Sequence, residues 1–552
     1  MHVVVIAGLS KTKGDQFSLK HEYVLAKNGV VMTYSNLRSH FGCPPADVSL
    51  SDYSTPYRAG IHLYNYLQKQ GTECTLINFL DLELARFEEA ARSHPDVVAI
   101  STSFLISIRA VKRVTEIVRR YAPRTKIVVG GPLVYNSYLL YQMKGMDYYL
   151  EPCRKDYFFL GEEPSYKDDI DFFVVEEQGE YSLARLVAAL DVGEDPSDVP
   201  NLAFYKSNEL TFTVREAEHN DFSDDLVDWK QAPPHYLHPI FPVRGSRGCP
   251  YRCKYCNFVT RRDFLIKHHD VLATELASLS ATGQVQIVRF TDDNLFLNRK
   301  NLELFCETII KSGGGMKWTS FIRANSITRE NVTLLKESGC MLAQIGMESG
   351  DATMLARMDK KDTPDSYLEA VELLNTHGIF TQMYFIVGFP GETTETLNNT
   401  VRLINQFKHD GPAANFIMMF PFVLAPLSPV YAPESRAEFE LTGYMSEWRH
   451  STMDSKQAAM SARDLLLRIK NVYPFYGIGE LAVLDAETLK QLSHLRLELR
   501  KAEMSAVPSV ETDRLWNELR VLVSGRQVYA DGQRCSISPW SPFLWLSSHS
   551  RW

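Results

Sequence analysis

The chain reads as an α/β protein in three parts: a doubly wound domain over residues 1–200, a second unit built on a parallel sheet over 239–430, and a small helical domain over 431–552, with 201–238 as the linker. Three observations carry this reading. Strand-like and helix-like segments alternate from Thr72 to Leu190. Six short apolar runs, separated by helix-period stretches, follow between Pro239 and Phe420. After Val430 the helical period dominates. Alternation at this spacing argues for parallel strands with helices packed outside them.

Met1-His2-Val3-Val4-Val5-Ile6-Ala7-Gly8 reads as a buried strand, because it is too short and lacks the basic start of a signal peptide. Tyr57–Gln70 predicts a helix feeding the strand Thr72–Ile77. Asp96–Ile100 is a strand that runs into Ser101-Thr102-Ser103-Phe104, and the helix Ile108–Tyr121 follows. Lys126-Ile127-Val128-Val129 leads into Gly130-Gly131-Pro132. Asp171–Val175 leads into Glu177-Gln178-Gly179-Glu180 and the helix Ser182–Leu190. In a doubly wound sheet the loops after the strands face the ligand. A Gly-Gly turn lets backbone approach a ligand closely, but it also serves in plain turns.

The six runs of the second unit are Pro239–Val243, Val285–Phe290, Lys317–Ile322, Leu342–Ile345, Gln382–Val387 and Asn415–Phe420. Between them, Asn301–Ser312 puts Leu302, Phe305, Ile309 and Ile310 on one helical face. Thr363-Pro364 opens another helix as cap and first residue, and Gly378 closes it. Polar segments follow four of the runs: Thr291-Asp292-Asp293-Asn294, Arg323-Ala324-Asn325, Gly346-Met347-Glu348-Ser349-Gly350 and Gly388-Phe389-Pro390-Gly391-Glu392-Thr393. Ligand sites of parallel barrels lie at these carboxyl ends. Taken singly, Asp293 and Glu348 also read as ordinary solvated carboxylates.

The first run is followed by Gly248-Cys249-Pro250-Tyr251-Arg252-Cys253-Lys254-Tyr255-Cys256, a C-x3-C-x2-C pattern. Thiols this close do not pair neatly as disulfides, but they can share one metal cluster. A structural zinc loop needs a fourth Cys or His at short spacing; the next candidates are only His268, His269 and Cys306. Three ligands on a four-iron cluster leave one iron open to a substrate.

This loop, with Tyr255 before its last cysteine, resembles the radical S-adenosylmethionine (SAM) superfamily, and the resemblance covers at least residues 240–430. It implies a partial (β/α)6 barrel and a 4Fe-4S cluster on Cys249, Cys253 and Cys256. It also implies SAM held by Tyr255 and by the strand-end residues Asp292, Asp293, Arg323, Glu348, Ser349, Gly388 and Glu392. A zwitterionic amino acid needs carboxylates for its ammonium and an Arg fork for its carboxylate.

The Ser loop, Gly-Gly loop and Gly-Glu segment of residues 1–200 resemble, in that order, the cobalamin-binding domain ahead of the barrel in cobalamin-dependent members. The link Val199–Phe204 also resembles that family. This implies cobalamin contacts at Ser101, Ser103, Gly130, Gly131, Pro132, Glu177 and Gly179. The Asp-x-His-x-x-Gly motif that supplies a cobalt ligand in many cobalamin proteins is missing, since His21, His40, His62 and His94 do not fit it. Arg58, at the start of a helix, is then a candidate for the lower cobalt face or simply a surface residue.

Beyond the barrel, Leu427–Tyr431 resembles a segment of the same relatives. Lys456–Asn471, Asp485–Ala502 and Thr512–Ser524 predict helices that close the barrel mouth. His450, in the polar-aromatic cluster Trp448–Met453, is a catalytic candidate or a satisfied structural histidine. Cys306 and Cys340 read as buried small hydrophobes on barrel helices. Pro539–Trp552, with three tryptophans, could pack on the lid.

A net charge of −8 gives no reason to expect a nucleic-acid partner, and no apolar stretch reaches the ~18 residues of a membrane span. Nine cysteines, an odd number, with an iron–sulfur loop fit a reducing cytoplasmic setting. The resemblance implies a cobalamin-dependent radical SAM methyltransferase acting on a small-molecule substrate, with an electron donor such as flavodoxin or ferredoxin. Its length and C-terminal region resemble the subgroup with phosphinate P-methyltransferases. A non-methylating ring cyclase and a cobalamin or iron–sulfur sensor are the alternatives. A methylthiotransferase is disfavoured, because Cys43, Cys74 and Cys153 are too widely spaced for its second cluster.

Overall fold

The computed structural model describes residues 1–10, 24–44, 55–143, 145–161, 166–222, 226, 227, 229, 234–258, 264–313, 315–505 and 509–525. The tail Pro539–Trp552, expected to pack on the lid, lies outside the described residues.

The first sheet has seven strands: β1 (His2–Ile6), β2 (Glu73–Ile77), β3 (Val97–Ser101), β4 (Lys126–Gly130), β5 (Phe172–Val174), β6 (Leu202–Lys206) and β7 (Glu209–Phe212). Their order is β2-β1-β3-β4-β5-β6-β7. The first five are parallel and the last two antiparallel. This is the doubly wound order whose ligand crevice opens at the carboxyl ends beside the β1/β3 reversal. Val3, Val4, Val5 and Ile6 are fully buried, as expected of a strand covered on both faces.

The expected linker is corrected here, because its first part is the β6–β7 hairpin, which extends the first sheet. Ser207 and Asn208 both take positive φ, 51° and 69°, the two-residue turn whose twist matches a hairpin. The signal was present in the alternation of Leu202–Lys206, bounded by Ser-Asn.

The second sheet is β8 (Ile240–Val243), β9 (Ile287–Phe290), β10 (Lys317–Phe321), β11 (Cys340–Glu348), β12 (Phe380–Val387), β13 (Asn415–Pro421) and β14 (Tyr473–Pro474), paired in that order and all parallel. All six expected runs are strands. Thr363 caps the helix Pro364–Thr376 through a capping box with Ser366. Cys306 lies in the helix Arg299–Lys311, but Cys340 opens β11 and is not helical; both are buried.

The C-terminal region is helical as expected, and it also supplies β14 and a three-stranded sheet over Thr442–Tyr444, Glu447–His450 and Met453–Asp454. One expectation is corrected: its last helices do not close the mouth. Ile478, Leu481 and Leu489 pack against Ile240, Ile287, Leu342 and Phe416, at the amino ends of the strands. Helices Ala486–Met504 and Ser509–Ser524 then build a separate core with Leu25, Met32, Tyr34 and Leu37 from the chain's beginning. The buried Arg496 grips Glu480 with two bonds of 2.8 and 2.9 Å, and Glu480 accepts from the Tyr34 backbone at 2.7 Å. The apolar floor of the barrel is thus covered, and its carboxyl ends are left to the polar loops.

Candidate active site

The first polar cluster surrounds a cavity of about 220 Å³ at the carboxyl ends of β3, β4 and β5. All eight residues expected in this domain's ligand loops, from Arg58 to Gly179, line it. Gly131 has φ 101°, and a Cβ there would stand 3.0 Å from Thr102 Oγ1, so the turn accepts no ordinary side chain. The size is below the roughly 300–1,000 Å³ of a complete small-molecule pocket, so it takes part of a larger ligand.

His62 and Glu180 also line this cavity, with His62 Nε2 2.8 Å from Glu180 Oε1. Burial opposes ionisation of Glu180, but the hydrogen bond and charge of His62, with Arg244, outweigh it and hold the carboxyl below its ordinary range. Asn220 donates to the other Glu180 oxygen at 2.8 Å.

The cysteine loop follows β8. It is bracketed by the short antiparallel pair Ser246–Arg247 and Leu265–Ile266. Lys254 N donates to Met358 O, and Val430 N donates to Lys254 O, both at 2.9 Å. Cys253 is buried, while Cys249 and Cys256 are half-buried. Burial pushes the Cys249 thiol up and Cys256 to about 11, and the charges of Cys253 and Asp293 add to both. Among the described residues, no three His, Cys, Asp or Glu side chains converge as ligands of one ion. In a four-iron cluster each thiolate binds its own iron, so convergence on one point is not required. Three neighbouring thiols, of which burial holds Cys249 and Cys256 toward the protonated form, suit such a cationic group, which would bind them as thiolates.

The strand-end residues divide into those paired with other side chains and those bonded to backbone. Tyr255 OH donates to Glu348 Oε1 at 2.8 Å, and Lys360 Nζ lies 3.3 Å from the same oxygen. Glu348 sits at a register shift in β11 with φ 65°, a strained conformation that the bulge and these two bonds maintain. Arg323 pairs with Asp362 at 2.8 Å and lies 3.8 Å over the Tyr251 ring. Asp293 is exposed.

Asp292 instead clasps the start of the loop. Its Oδ1 accepts from Gly245 N at 2.9 Å, from Ser246 N and from Ser246 Oγ at 3.0 Å. Burial pushes its carboxyl up to about 6, opposed by the Ser246 bonds and the charges of Arg244 and Arg58. Ser349 is buried and accepts from Asp351 N at 3.2 Å. Glu392 folds back onto Gly388 N, and burial pushes it up to about 8. Gly388 is packed so tightly that a Cβ would lie 2.6 Å from Trp448 and Ala458.

His450, the catalytic candidate, is buried in the same joint. Its Nε2 meets Gly388 O at 3.1 Å, its Nδ1 meets Thr452 N at 3.3 Å, and its ring stacks on Trp448. It fastens a turn.

Several site residues escaped sequence reasoning. Arg244 lines the first cavity although it belongs to the second unit. Arg247, two residues before Cys249, donates to Gln178 Oε1 and, at 3.3 Å, to Asn220 O. The guanidinium groups of Arg244 and Arg247 lie 5.5 and 5.2 Å from the Phe222 ring. The basic run before the cysteines was the visible signal. Lys360 and Asp362, in a loop, gave none.

With this geometry in view, comparisons with known proteins bear on the assignment. The B12 binding domain model matches residues 60–151. The Radical SAM superfamily model matches residues 243–404. The chain carries a B12-binding domain followed by a radical SAM domain. The radical SAM domain implies a 4Fe-4S cluster and SAM, and the B12-binding domain implies cobalamin.

An anaerobic magnesium-protoporphyrin IX monomethyl ester cyclase of Cereibacter sphaeroides is 26% identical over 404 residues, 70% of this chain and 60% of that protein's length. Among solved structures, the radical SAM methyltransferase TsrM of Kitasatospora setae aligns with a TM-score of 0.54 at 15% identity, covering 78% of this chain and 77% of that one. OxsB, with aqua-cobalamin and SAM bound, aligns with a TM-score of 0.56 at 15% identity, covering 94% and 75%. At this identity the two structures establish the fold. No helix among the described residues is long and apolar enough to cross a membrane.

Proposed function

We propose that the chain is a cobalamin-dependent radical SAM methyltransferase. It moves a methyl group from SAM, by way of methylcobalamin, to an unactivated carbon or a phosphinate phosphorus of a small-molecule or natural-product intermediate, with flavodoxin or ferredoxin as reductant. The observation that carries this reading is the junction of the two domains. Arg247, on the approach to the cysteine loop, is bonded to Gln178 of the B12-binding domain, and Arg244 lines that domain's cavity. A cobalamin reaching this cavity and a cluster on the loop would be set in one frame, which a methyl relay needs.

When bound, the cluster and cobalamin supply the electron and the methyl carrier. The chain's own part is binding. Cys249, Cys253 and Cys256 hold the cluster, and Asp292 fixes the loop that carries them. Tyr255, Glu348, Lys360 and Arg323 present a mixed-charge surface above the barrel, suited to the ammonium and carboxylate of SAM. The Ser101 and Gly130-Gly131 loops offer close backbone approach and hydroxyls to cobalamin.

A non-methylating cobalamin-dependent reaction, such as ring cyclisation or rearrangement, is the second reading, and likeness to the cyclase supports it. Deuterated-methyl SAM separates the two. The methyltransferase reading expects the label in the product together with S-adenosylhomocysteine and 5′-deoxyadenosine. Product without label, while 5′-deoxyadenosine accumulates, favours the second.

A further inference from the structure

The barrel interior carries a wall that neither cofactor explains. Side chains on β10 to β13 alternate between the outer helices and the interior. Trp318, Ile345, Phe385 and Met419 belong to the main helix-facing core. Phe321, Gln344, Tyr384 and Phe420 have the opposite parity. The Tyr384 ring lies 5.2 Å from Phe321 and 6.3 Å from Phe420, nearly parallel to the latter at 11°. Phe321 is 38% exposed, although it stands at the end of a central strand.

Two amides lie beside these rings. Gln344 Nε2 donates to Gln382 Oε1 and to Tyr384 OH, both at 2.8 Å. Gln344 is only 2% exposed, yet its Oε1 has no hydrogen-bond partner among the described residues. Gln382 Nε2 is directed at the thioether of Met418, 2.9 Å away, which is a weak acceptor. A buried acceptor without a donor and a donor on a poor acceptor are costly in isolation and are expected where a ligand completes them. On the same strand as Gln344, Leu342 lies below on the apolar floor and Glu348 above, beside Tyr255. The wall is therefore between the apolar floor and the cysteine-loop level.

We propose that this wall binds the acceptor, and that the acceptor is a planar, amide-bearing molecule. Its flat group lies on Phe321, Tyr384 and Phe420. Its amide edge donates to Gln344 Oε1 and accepts from Gln382 Nε2. Amides and aromatic rings both stack on such faces, and a paired donor and acceptor reject analogues that lack either. The proposal rests on the reading of the chain as an enzyme with a small-molecule acceptor. Its test needs no turnover, so the two readings fail separately.

Reconstituted protein with hydroxocobalamin and SAM is titrated with indole-3-acetamide, methyl indole-3-acetate and 2-cyclohexylacetamide, with binding followed by ligand-observed NMR. Indole-3-acetamide should bind about tenfold tighter than the other two. Tyr384→Leu and Phe321→Leu should each weaken it by about fivefold. Gln344→Leu should level the amide and the ester. SAM affinity should stay within about twofold throughout. Equal affinity for the three probes, or no saturable binding of the amide up to about 20 mM, overturns the proposal. A tenfold loss of SAM affinity in Tyr384→Leu also overturns it, because the wall would then belong to the adenine of SAM.

Discussion

The Arg247 guanidinium donates to the side-chain oxygen of Gln178 and so joins the approach to the cysteine loop to the B12-binding domain. Its second bond, 3.3 Å to Asn220 O, reaches the residue that braces Glu180. Arg247→Ala should therefore leave iron and cobalamin content near wild type while lowering methyl transfer by about 10- to 100-fold, the scale of misplacement between reacting groups. Cofactor content by metal analysis and turnover by product formation read the two effects separately. Loss of both cofactors would show a folding role instead.

Gly131 lines the cavity with φ 101°, and a Cβ there would stand 3.0 Å from the buried Thr102 Oγ1. Gly131→Leu should weaken hydroxocobalamin binding by at least about tenfold, because the side chain is strained and occupies ligand space. Gly131→Ala should fall between. Absorbance after gel filtration checks both. Unchanged binding in the leucine variant would remove this turn from the cobalamin site.

The cysteine loop yields a sharper test. Replacing Cys249, Cys253 and Cys256 together with Ala should abolish iron and sulfide binding and the broad visible absorbance of the reconstituted protein. Retention of about four irons per chain in the triple variant would refute the ligand assignment.

Glu392 allows a pH experiment on the protein without its cofactors. Burial pushes its carboxyl from 4.5 to about 8, despite the bond from Gly388 N. Below about pH 4.5 both folded and unfolded states hold the proton. Between about 4.5 and 8 the folded state alone holds it, so stability falls with rising pH by up to about 1.4 kcal/mol per pH unit. Glu392→Gln keeps an acceptor for Gly388 and removes this slope. Melting temperatures at several pH values from 5 to 8 should thus separate progressively, with the variant gaining on wild type as pH rises. Parallel curves would show that Glu392 is ionised in the folded protein.

Legibility differed from element to element. Six of the seven strands of the second sheet were readable because each is a short apolar run next to a turn or a helical period. The B12-domain loops were readable because Ser101 and Gly130 end their strands and Gly179 stands between a strand and the helix that follows it. Asp292 was found as a strand-end carboxylate, but its partner Ser246 was not, since nothing local tells a carboxylate that clasps backbone from one that meets a ligand. His450 shows the same limit: its partner Gly388 lies 62 residues away in the chain. The C-terminal helices were located, but their placement on the barrel floor was not, because an apolar stripe does not say which end of a sheet it will cover.

The sequence by itself determined the α/β class, the cysteine loop and the order of the two cofactor-binding domains. The class and the loop follow from periodicity and spacing within short stretches, which backbone geometry reads locally, whereas the two cofactor-binding domains came from the family resemblance that their loops carry. Only the tertiary structure decided that residues 202–212 complete the first sheet, that residues 24–44 share a core with helices beyond 486, and that Arg244 and Arg247 reach across to the cobalamin loops. The interior wall of Phe321, Tyr384 and Phe420 belongs to this second group. Its three rings come from strands up to 99 positions apart in numbering, and they meet only because parallel pairing sets their registers side by side.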